Sequence, residues 1–288
     1  MSVRKFLLPV SSTTSASAAL QTGLMLAKRW HAHLQVLHIR SAQEFAPFVG
    51  EGMTGAMIED MMSATERASG QRERSLEELF ALAAEEAGVS VGEALHGRDE
   101  PSASFTMLTG REDELIAHRA RLADLTIVPH PQAGEDVAAA DALHAVLFDS
   151  GRPVLLAPVI PPETFGTRVA IAWNGTANAA SALASVMPFV RQAEAVRILV
   201  CDDYRRPGPS GAEVAEYISH HGVTADVVQF YPRKGMTGAG LLAAATEFRA
   251  DLMSMGAYST ASRLRQLILG GITRHVLEHA QLPVLMNR

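Results

Sequence analysis

The sequence predicts an α/β protein with two doubly wound domains, each a mostly parallel five-stranded sheet with helices on both faces. Short apolar runs of strand length alternate with longer segments of helical periodicity along the chain. The length of 288 residues suits two domains of ordinary size. Several segments of the first half recur in the second, which indicates a duplicated unit and two domains related by a pseudo-twofold axis.

The openings of the two halves predict the first strand and the first helix of each domain. In the first half, the run FLLPVSS at residues 6–12 precedes a segment with helical spacing that reaches Trp30. In the second half, VAIAWNG at residues 169–175 precedes a similar segment from Ala180. Both openings are typical of a strand, a polar turn and a helix.

The middle of each half supplies further elements. Second strands are predicted at residues 33–38 and 195–201, where short β-rich apolar runs indicate burial on both faces of a sheet. The other predicted elements are third strands at 89–95 and 223–231 and helices at 110–122 and 237–250.

The two halves differ most at residues 52–88, a Met- and Glu-rich segment that only the first half carries. Its methionines are Met53, Met57, Met61 and Met62. We expect them to pack a helix, because Met is an ordinary gap-filler in protein cores. A surface that binds a ligand is the alternative interpretation.

The two halves end alike. DLTIV at residues 124–128 resembles DLMSM at 251–255, and each leads through a helix to a final apolar strand, at 153–157 and 283–286. We expect these final strands to lie at sheet edges and to meet across the pseudo-twofold axis. An exposed apolar edge would otherwise invite aggregation.

A proline-rich stretch separates the halves. Residues 158–163 lack helical periodicity and are predicted to be the linker. The predicted domains are therefore residues 1–158 and residues 165–288.

Composition excludes several classes of function. The formal net charge of −6 disfavours binding to nucleic acid, whose backbone is also negative. Cys201 is the only cysteine, so neither a disulfide framework nor a cysteine zinc cluster is available. The apolar run at the start of the chain is broken by Pro9 and is too short for a signal sequence or a membrane span. The sequence therefore predicts a cytoplasmic protein that is not bound to membranes.

The most specific segment lies near the end of the chain. It reads MGAY at residues 255–258, SRLRQLILGGITR at 262–274 and PVL at 283–285. This pattern resembles the nucleotide loop of the universal stress protein family, and the resemblance covers both halves outside the linker. The resemblance implies a tandem, stress-response protein that binds an adenine nucleotide such as ATP, with or without Mg²⁺, in its second domain.

The chemistry of such a loop accounts for the residue types in it. A loop that leaves a strand and enters a helix directs backbone N–H groups and the helix dipole at an anion such as phosphate. Glycines permit close backbone approach, while hydroxyls and an arginine add hydrogen bonds and charge. The candidate nucleotide-binding residues are Asn174, Gly175, Gly256, Ser259, Ser262, Arg263, Gly270 and Gly271.

The sequence departs from the family pattern of a glycine, two residues, a glycine, nine residues, then a glycine followed by Ser or Thr. Ser259 replaces the second glycine, ten residues separate it from Gly270, and Gly271 replaces the hydroxyl residue. Asn174 stands where the family often has an aspartate that meets adenine, and an amide can still both donate and accept a hydrogen bond.

The first half departs further from the pattern. After its fourth predicted strand, Pro129 and Pro131 flank His130, and the two prolines restrict the backbone and lack N–H donors. We expect this half to be a degenerate domain that pairs with the second as a structural partner. His130 is interpreted as a loop histidine.

No catalytic or metal site is predicted. His275, Glu278 and His279 match the H-x-x-E-H pattern of zinc hydrolases, but the apolar stripe of their helix leaves them on its polar side. The sequence contains no serine nucleophile elbow, Walker loop or paired-carboxylate pattern.

Two alternatives to nucleotide binding stay open. One is a ligand-free scaffold or interaction protein of the same fold, and the other is a slow nucleotide hydrolase. A homodimer is expected, although the sequence indicates no face for it.

Overall fold

The computed structural model describes residues 3–41, 54–92, 99–131, 137–258 and 271–288. In these ranges the chain forms one sheet of eleven strands with helices on both faces. The first half contains β1 (Lys5–Val10), α1 (Thr13–Trp30), β2 (His33–Ser41), α2 (Gly55–Ala87), β3 (Ser90–Val91), β4 (Ser102–Gly110), α3 (Glu112–Ala120), β5 (Leu125–Val128), α4 (Val137–Asp149) and β6 (Val154–Leu156).

The second half repeats the alternation of strands and helices. It contains β7 (Arg168–Trp173), α5 (Ala177–Val190), β8 (Ala195–Val200), a short 3-10 turn (Asp202–Tyr204), α6 (Gly211–Ser219), β9 (Ala225–Gln229), α7 (Thr237–Glu247), β10 (Leu252–Gly256), α8 (Ile272–His279) and β11 (Val284–Asn287). No helix within the described ranges is long and apolar enough to cross a membrane.

The strands follow the order β3-β4-β2-β1-β5-β6-β11-β10-β7-β8-β9. Neighbours run parallel except at the centre, where β6 and β11 pair antiparallel with Leu155 opposite Leu285. The predicted meeting of the two final strands is therefore confirmed. Each half contributes five strands in the same relative order, and β3 extends the edge of the first half. The two predicted sheets are joined into one, because each apolar edge strand receives a hydrogen-bonded partner.

A pair of aspartates shows why the two halves share their sequence pattern. The Asp124 carboxylate accepts hydrogen bonds from the backbone amides of Arg4 and Lys5, at 2.7 and 3.0 Å. The Asp251 carboxylate does the same for Thr167 and Arg168, at 3.1 and 2.8 Å. Asp124 directly precedes β5 and Asp251 directly precedes β10, and in each half this carboxylate fixes the start of the neighbouring first strand, β1 or β7.

The helices divide between two apolar cores. Buried residues of α1, α2, α5 and α6 belong to the core on one face of the sheet, and those of α3, α4, α7 and α8 belong to the core on the other. Both cores extend across the two halves. On the first face, the Trp30 ring meets the Phe189 ring edge-on at 5.3 Å between centroids, and the Arg29 guanidinium donates to the carbonyl of Phe165.

The third strand of the first half was predicted at residues 89–95, and the structure has a two-residue strand, β3, within that range. Only Ser90–Val91 are extended there, and residues 93–95 lie outside the described ranges. The main third strand is β4, which pairs with β2 over nine residues from Ser102 to Gly110. Its sequence mixes polar and apolar side chains, and only its first two residues are buried, so it lacks the mostly apolar sequence of β1 and β7.

The predicted packing of the methionines in α2 is wrong for those that the structure describes. Met57, Met61 and Met62 are 54, 36 and 42% exposed, and Met53 lies outside the described ranges. The buried residues of α2 begin only at Ser69. The first four turns of the helix therefore extend beyond the core that its second half covers.

Candidate functional site

The strand order reverses direction between β7 and β10, which is where doubly wound sheets bind ligands. The two strands are parallel neighbours with Met255 beside Ala172. Asn174 and Gly175 follow β7, and Gly256 ends β10, so these three predicted residues share one end of the sheet. The helices that follow, α5 and α8, lie on opposite faces.

The other predicted residues follow Tyr258 in the sequence. Ser259, Ser262, Arg263 and Gly270 are outside the described ranges. Gly271 is the N-cap of α8 and offers no side chain to its first turn. The N–H groups of that turn have a partial positive charge that suits an anion.

Asn174 is held by its own protein neighbours. Its side chain is buried, and Oδ1 accepts from the amide and the hydroxyl of Thr176, at 3.2 and 2.8 Å. Its backbone carbonyl accepts from the Arg206 amide at 2.8 Å. Burial raises the pKa of the Tyr204 hydroxyl, while a hydrogen bond from Asn174 and the charge of Arg206 oppose that rise. Asn174 is thus part of a polar network within the protein.

At both glycines of the site, neighbouring protein backbone occupies the space that a side chain would need. At Gly175, where φ is +85°, a Cβ atom would lie 2.8 Å from the carbonyl oxygen of Arg206. At Gly256 a Cβ atom would lie 2.6 Å from the backbone nitrogen of Ala179. Close approach of protein backbone therefore already requires glycine at both positions, before any ligand is considered.

Sequence reasoning missed the positive charges at this end of the sheet. Arg205 and Arg206 follow the 3-10 turn after β8, and Arg233 and Lys234 follow β9. All four are exposed, and β8 and β9 are neighbouring parallel strands, so the four cations share the same end of the sheet. The sequence signal that could have revealed these charges is the pair Arg205 and Arg206, which follows the strand predicted at residues 195–201.

Tyr258 is a second residue whose position the sequence did not reveal. It has a left-handed backbone with φ of +50°. The Asn178 side-chain amide donates to the carbonyls of Ala257 and Tyr258, at 2.7 and 2.8 Å. The Tyr258 hydroxyl is hydrogen-bonded to Nε2 of His144 in α4, at 3.0 Å. A helix of the first half therefore contacts the residue that begins the candidate loop of the second.

The corresponding end of the first half is built differently. His130 follows β5, and it is 2% exposed, so it is a buried residue despite its place in a connecting segment. Burial lowers the pKa of its imidazole, which favours the neutral form. Ser12 caps α1 by accepting from the Ser15 amide, as Thr176 caps α5.

The H-x-x-E-H residues lie on α8 without forming a metal cluster. Glu278 accepts from Nε of Arg274 at 2.7 Å, and the rings of His275 and His279 stack on each other with centroids 4.2 Å apart. Within the described ranges, no group of three or more His, Cys, Asp or Glu residues could hold a metal ion. Cys201 is buried, as expected of a packed thiol.

The chain is similar to a known protein family and to several solved structures. Residues 153–288 match the model of the universal stress protein family. No curated protein matches the chain. Several solved structures match nearly its whole length, among them the following two. A universal stress protein from Archaeoglobus fulgidus DSM 4304 has a TM-score of 0.64 at 15% identity, covering 100% of this chain and 99% of its own. A functionally unknown protein from Pseudomonas aeruginosa PAO1 has a TM-score of 0.51 at 14% identity, covering 99% and 92%.

Proposed function

We propose, from the premise that residues 153–288 belong to the universal stress protein family, that the second half of this chain is the adenine-nucleotide-binding module of a stress-response protein. The observation that carries the proposal is the switch point between β7 and β10, where Asn174, Gly175 and Gly256 lie at the same end of two neighbouring parallel strands. The module binds ATP or a related nucleotide, and its function does not require hydrolysis of that nucleotide.

The charges around the switch point support an anionic ligand. Four cations, Arg205, Arg206, Arg233 and Lys234, are exposed at this end of the sheet and outnumber the two exposed carboxylates of the turn after β8, Asp202 and Asp203. The N-terminus of α8 adds the partial positive charge of the helix dipole. We assign phosphate contact to Gly256, Gly271 and the predicted loop residues Ser259, Ser262, Arg263 and Gly270.

Adenine contact is assigned to Asn174 and Gly175. Because Oδ1 of Asn174 already accepts from the amide and the hydroxyl of Thr176, adenine must displace part of this contact. The cost of that exchange supports weak rather than tight binding.

The first test is to identify what the purified protein carries. Protein purified without added nucleotide is denatured by heat, and the released small molecules are analysed by mass spectrometry. Our proposal expects an adenine nucleotide in substoichiometric to stoichiometric amount. A parallel assay of phosphate release from ATP with Mg²⁺ should give no signal above a protein-free blank, and steady release would instead support a slow hydrolase.

A ligand-free scaffold of the same fold is the second candidate function. It is favoured by the engagement of Asn174 and Gly175 with protein atoms, which leaves both residues with a role that needs no ligand. Absence of nucleotide after heat release, together with no binding of ATP at millimolar concentration, would support the scaffold.

The organisation of the whole protein extends the proposal. We propose two domains, residues 1–158 and 165–288, with the first as a non-binding partner, and a cytoplasmic homodimer as the working form. Light scattering during size-exclusion chromatography measures the mass directly. A mass of about twice the chain's 30.8 kDa supports the dimer, and a mass equal to that of one chain contradicts it.

A further inference from the structure

The residue that opens the candidate loop is held from both halves of the chain. Asn178 of α5 fixes the backbone of Tyr258 through the carbonyls of Ala257 and Tyr258, at 2.7 and 2.8 Å. The side chain of Tyr258 points the other way, to α4 of the first half, where its hydroxyl meets His144 Nε2 at 3.0 Å. The two contacts together fix both the backbone and the ring.

The ring of Tyr258 also packs within a small aromatic cluster. Its centroid lies 5.2 Å from that of Phe148 and 5.9 Å from that of His144, and both partners are on α4. The Arg288 guanidinium covers the Phe148 ring at 4.5 Å. Aromatic pairs at such distances contribute stabilisation beyond the area they bury. The contact is therefore a specific attachment between the halves at the site itself.

The backbone of Tyr258 explains why such an attachment is needed. A φ of +50° is unfavourable for a residue with a side chain, and it persists where neighbouring contacts hold it. The direction in which the chain leaves β10 towards Gly271 depends on that backbone angle. Burial raises the pKa of the Tyr258 hydroxyl, so the group stays protonated and keeps its hydrogen bond with His144.

We propose that Tyr258 is a positioning residue for the nucleotide site and that His144 and Phe148 of the first half hold it in place. The first half thereby influences the affinity of the site for nucleotide, although none of its own residues is assigned a contact with the nucleotide. This inference rests on the proposed function of the second half. It gives the first half a role in binding that its own proline-flanked segment around His130 does not supply.

The test compares ATP affinity in matched variants by titration calorimetry. Tyr258→Phe removes the hydroxyl and keeps the ring, and His144→Ala removes its partner. Each should weaken binding about five-fold, which is the effect of losing one net hydrogen bond. The double variant should bind ATP with the same affinity as the single variant that binds less tightly, because both changes break the same contact. His144→Gln, which retains a donor, should restore most of the affinity.

Controls separate positioning from general stability. Asp141→Asn changes an exposed residue of α4, and Tyr217→Phe removes a tyrosine hydroxyl on α6. Both should bind ATP as wild type does. If the Tyr258 and His144 variants also bind as wild type does, or if His144→Gln fails to restore affinity, the inference is wrong.

A second measurement needs no nucleotide. Amide hydrogen exchange of peptides that contain residues 255–258 is compared in ligand-free wild type, His144→Ala and Asp141→Asn. We expect faster exchange only in His144→Ala, at an unchanged overall melting temperature. If wild type binds no ATP, the proposed function fails, and unchanged exchange in His144→Ala would separately show that α4 does not hold Tyr258.

Discussion

At Gly256 the structure gives a residue-level explanation that the sequence pattern did not. The glycine was predicted from its place in a nucleotide loop, yet the backbone of α5 already fills the space that a side chain would need. The importance of this glycine was therefore predictable from the sequence, whereas the structural reason for it was not. A tertiary contact between β10 and the start of α5 involves residues about 80 positions apart in sequence, and no local pattern encodes it.

The close approach at Gly256 yields a stability prediction. Gly256→Ala should lower the free energy of unfolding by about 2 to 3 kcal/mol, because overpacking against backbone cannot be relieved by a side-chain movement. Chemical denaturation measures the change. Gly70→Ala is the matched control, since its Cβ would meet only the end of the Arg74 side chain at 3.8 Å, and alanine is the better helix former. Equal effects of the two changes would contradict this account of Gly256.

Individual residues also determine the expected ligand affinity. Arg263→Ala should weaken ATP binding roughly ten-fold or more, since a charged hydrogen bond contributes about 1.5 to 3 kcal/mol. Gly270→Val should weaken it further, because a branched side chain restricts the backbone and crowds the phosphate. His130→Ala, in the first half, should leave affinity unchanged. An equal loss of affinity in His130→Ala would show that the nucleotide had been assigned to the wrong half.

At the scale of elements, apolar strands were predictable and mixed ones were not. β1, β7 and β8 are mostly apolar, β2 and β10 contain shorter apolar runs, and each of the five was located within a few residues. β4 was missed because its partner β2 and the helix α2 determine its burial, and neither is visible in its local sequence. The exposed methionines at the start of α2 were wrongly predicted for the same reason, since an apolar side chain does not show whether the rest of the protein reaches it.

The attachment of α2 to β2 gives a pH-dependent prediction. Arg40 of β2 donates two hydrogen bonds to Glu73 of α2, whose side chain is 11% exposed. The hydrogen bonds and charge of Arg40 hold the pKa of Glu73 below its ordinary value. A lowered folded-state pKa means that the contribution to stability is complete above the unfolded-state pKa and is lost as the pH falls through the folded-state value.

Urea denaturation of wild type and Glu73→Gln at a series of pH values tests this contact. We expect Glu73→Gln to be less stable at pH 7 by about 1 to 2 kcal/mol, with the difference shrinking below pH 4.5, the ordinary value of a Glu side chain. The exposed pair of Arg274 and Glu278 is the control, and Glu278→Gln should change stability little. If the stability difference between wild type and Glu73→Gln grew as the pH fell, the inferred direction of the Glu73 pKa shift would be wrong.

At the scale of the whole molecule, β6 and β11 join the two halves into one sheet, and two apolar cores run across the junction. The sequence predicted this meeting from the apolar character of both final strands. The contact of α4 with Tyr258 was not predictable, because it depends on how the halves are placed once the strands have paired.

The continuous sheet predicts that the halves unfold together. Differential scanning calorimetry should show a single transition with equal van't Hoff and calorimetric enthalpies. Trp30→Ala, which removes the contact with Phe189 across the halves, should lower the melting temperature. Two well-separated transitions in wild type would contradict a shared core.

The most direct test of the central claim is the stoichiometry of ATP binding by wild-type protein in titration calorimetry. The account predicts one nucleotide per chain, because the switch point of the second half has Gly256, the α8 N-terminus and exposed cations, whereas the first half has Pro129 and Pro131 at that place. Two nucleotides per chain would contradict the assignment of the first half. No binding at millimolar ATP would contradict the proposed function itself.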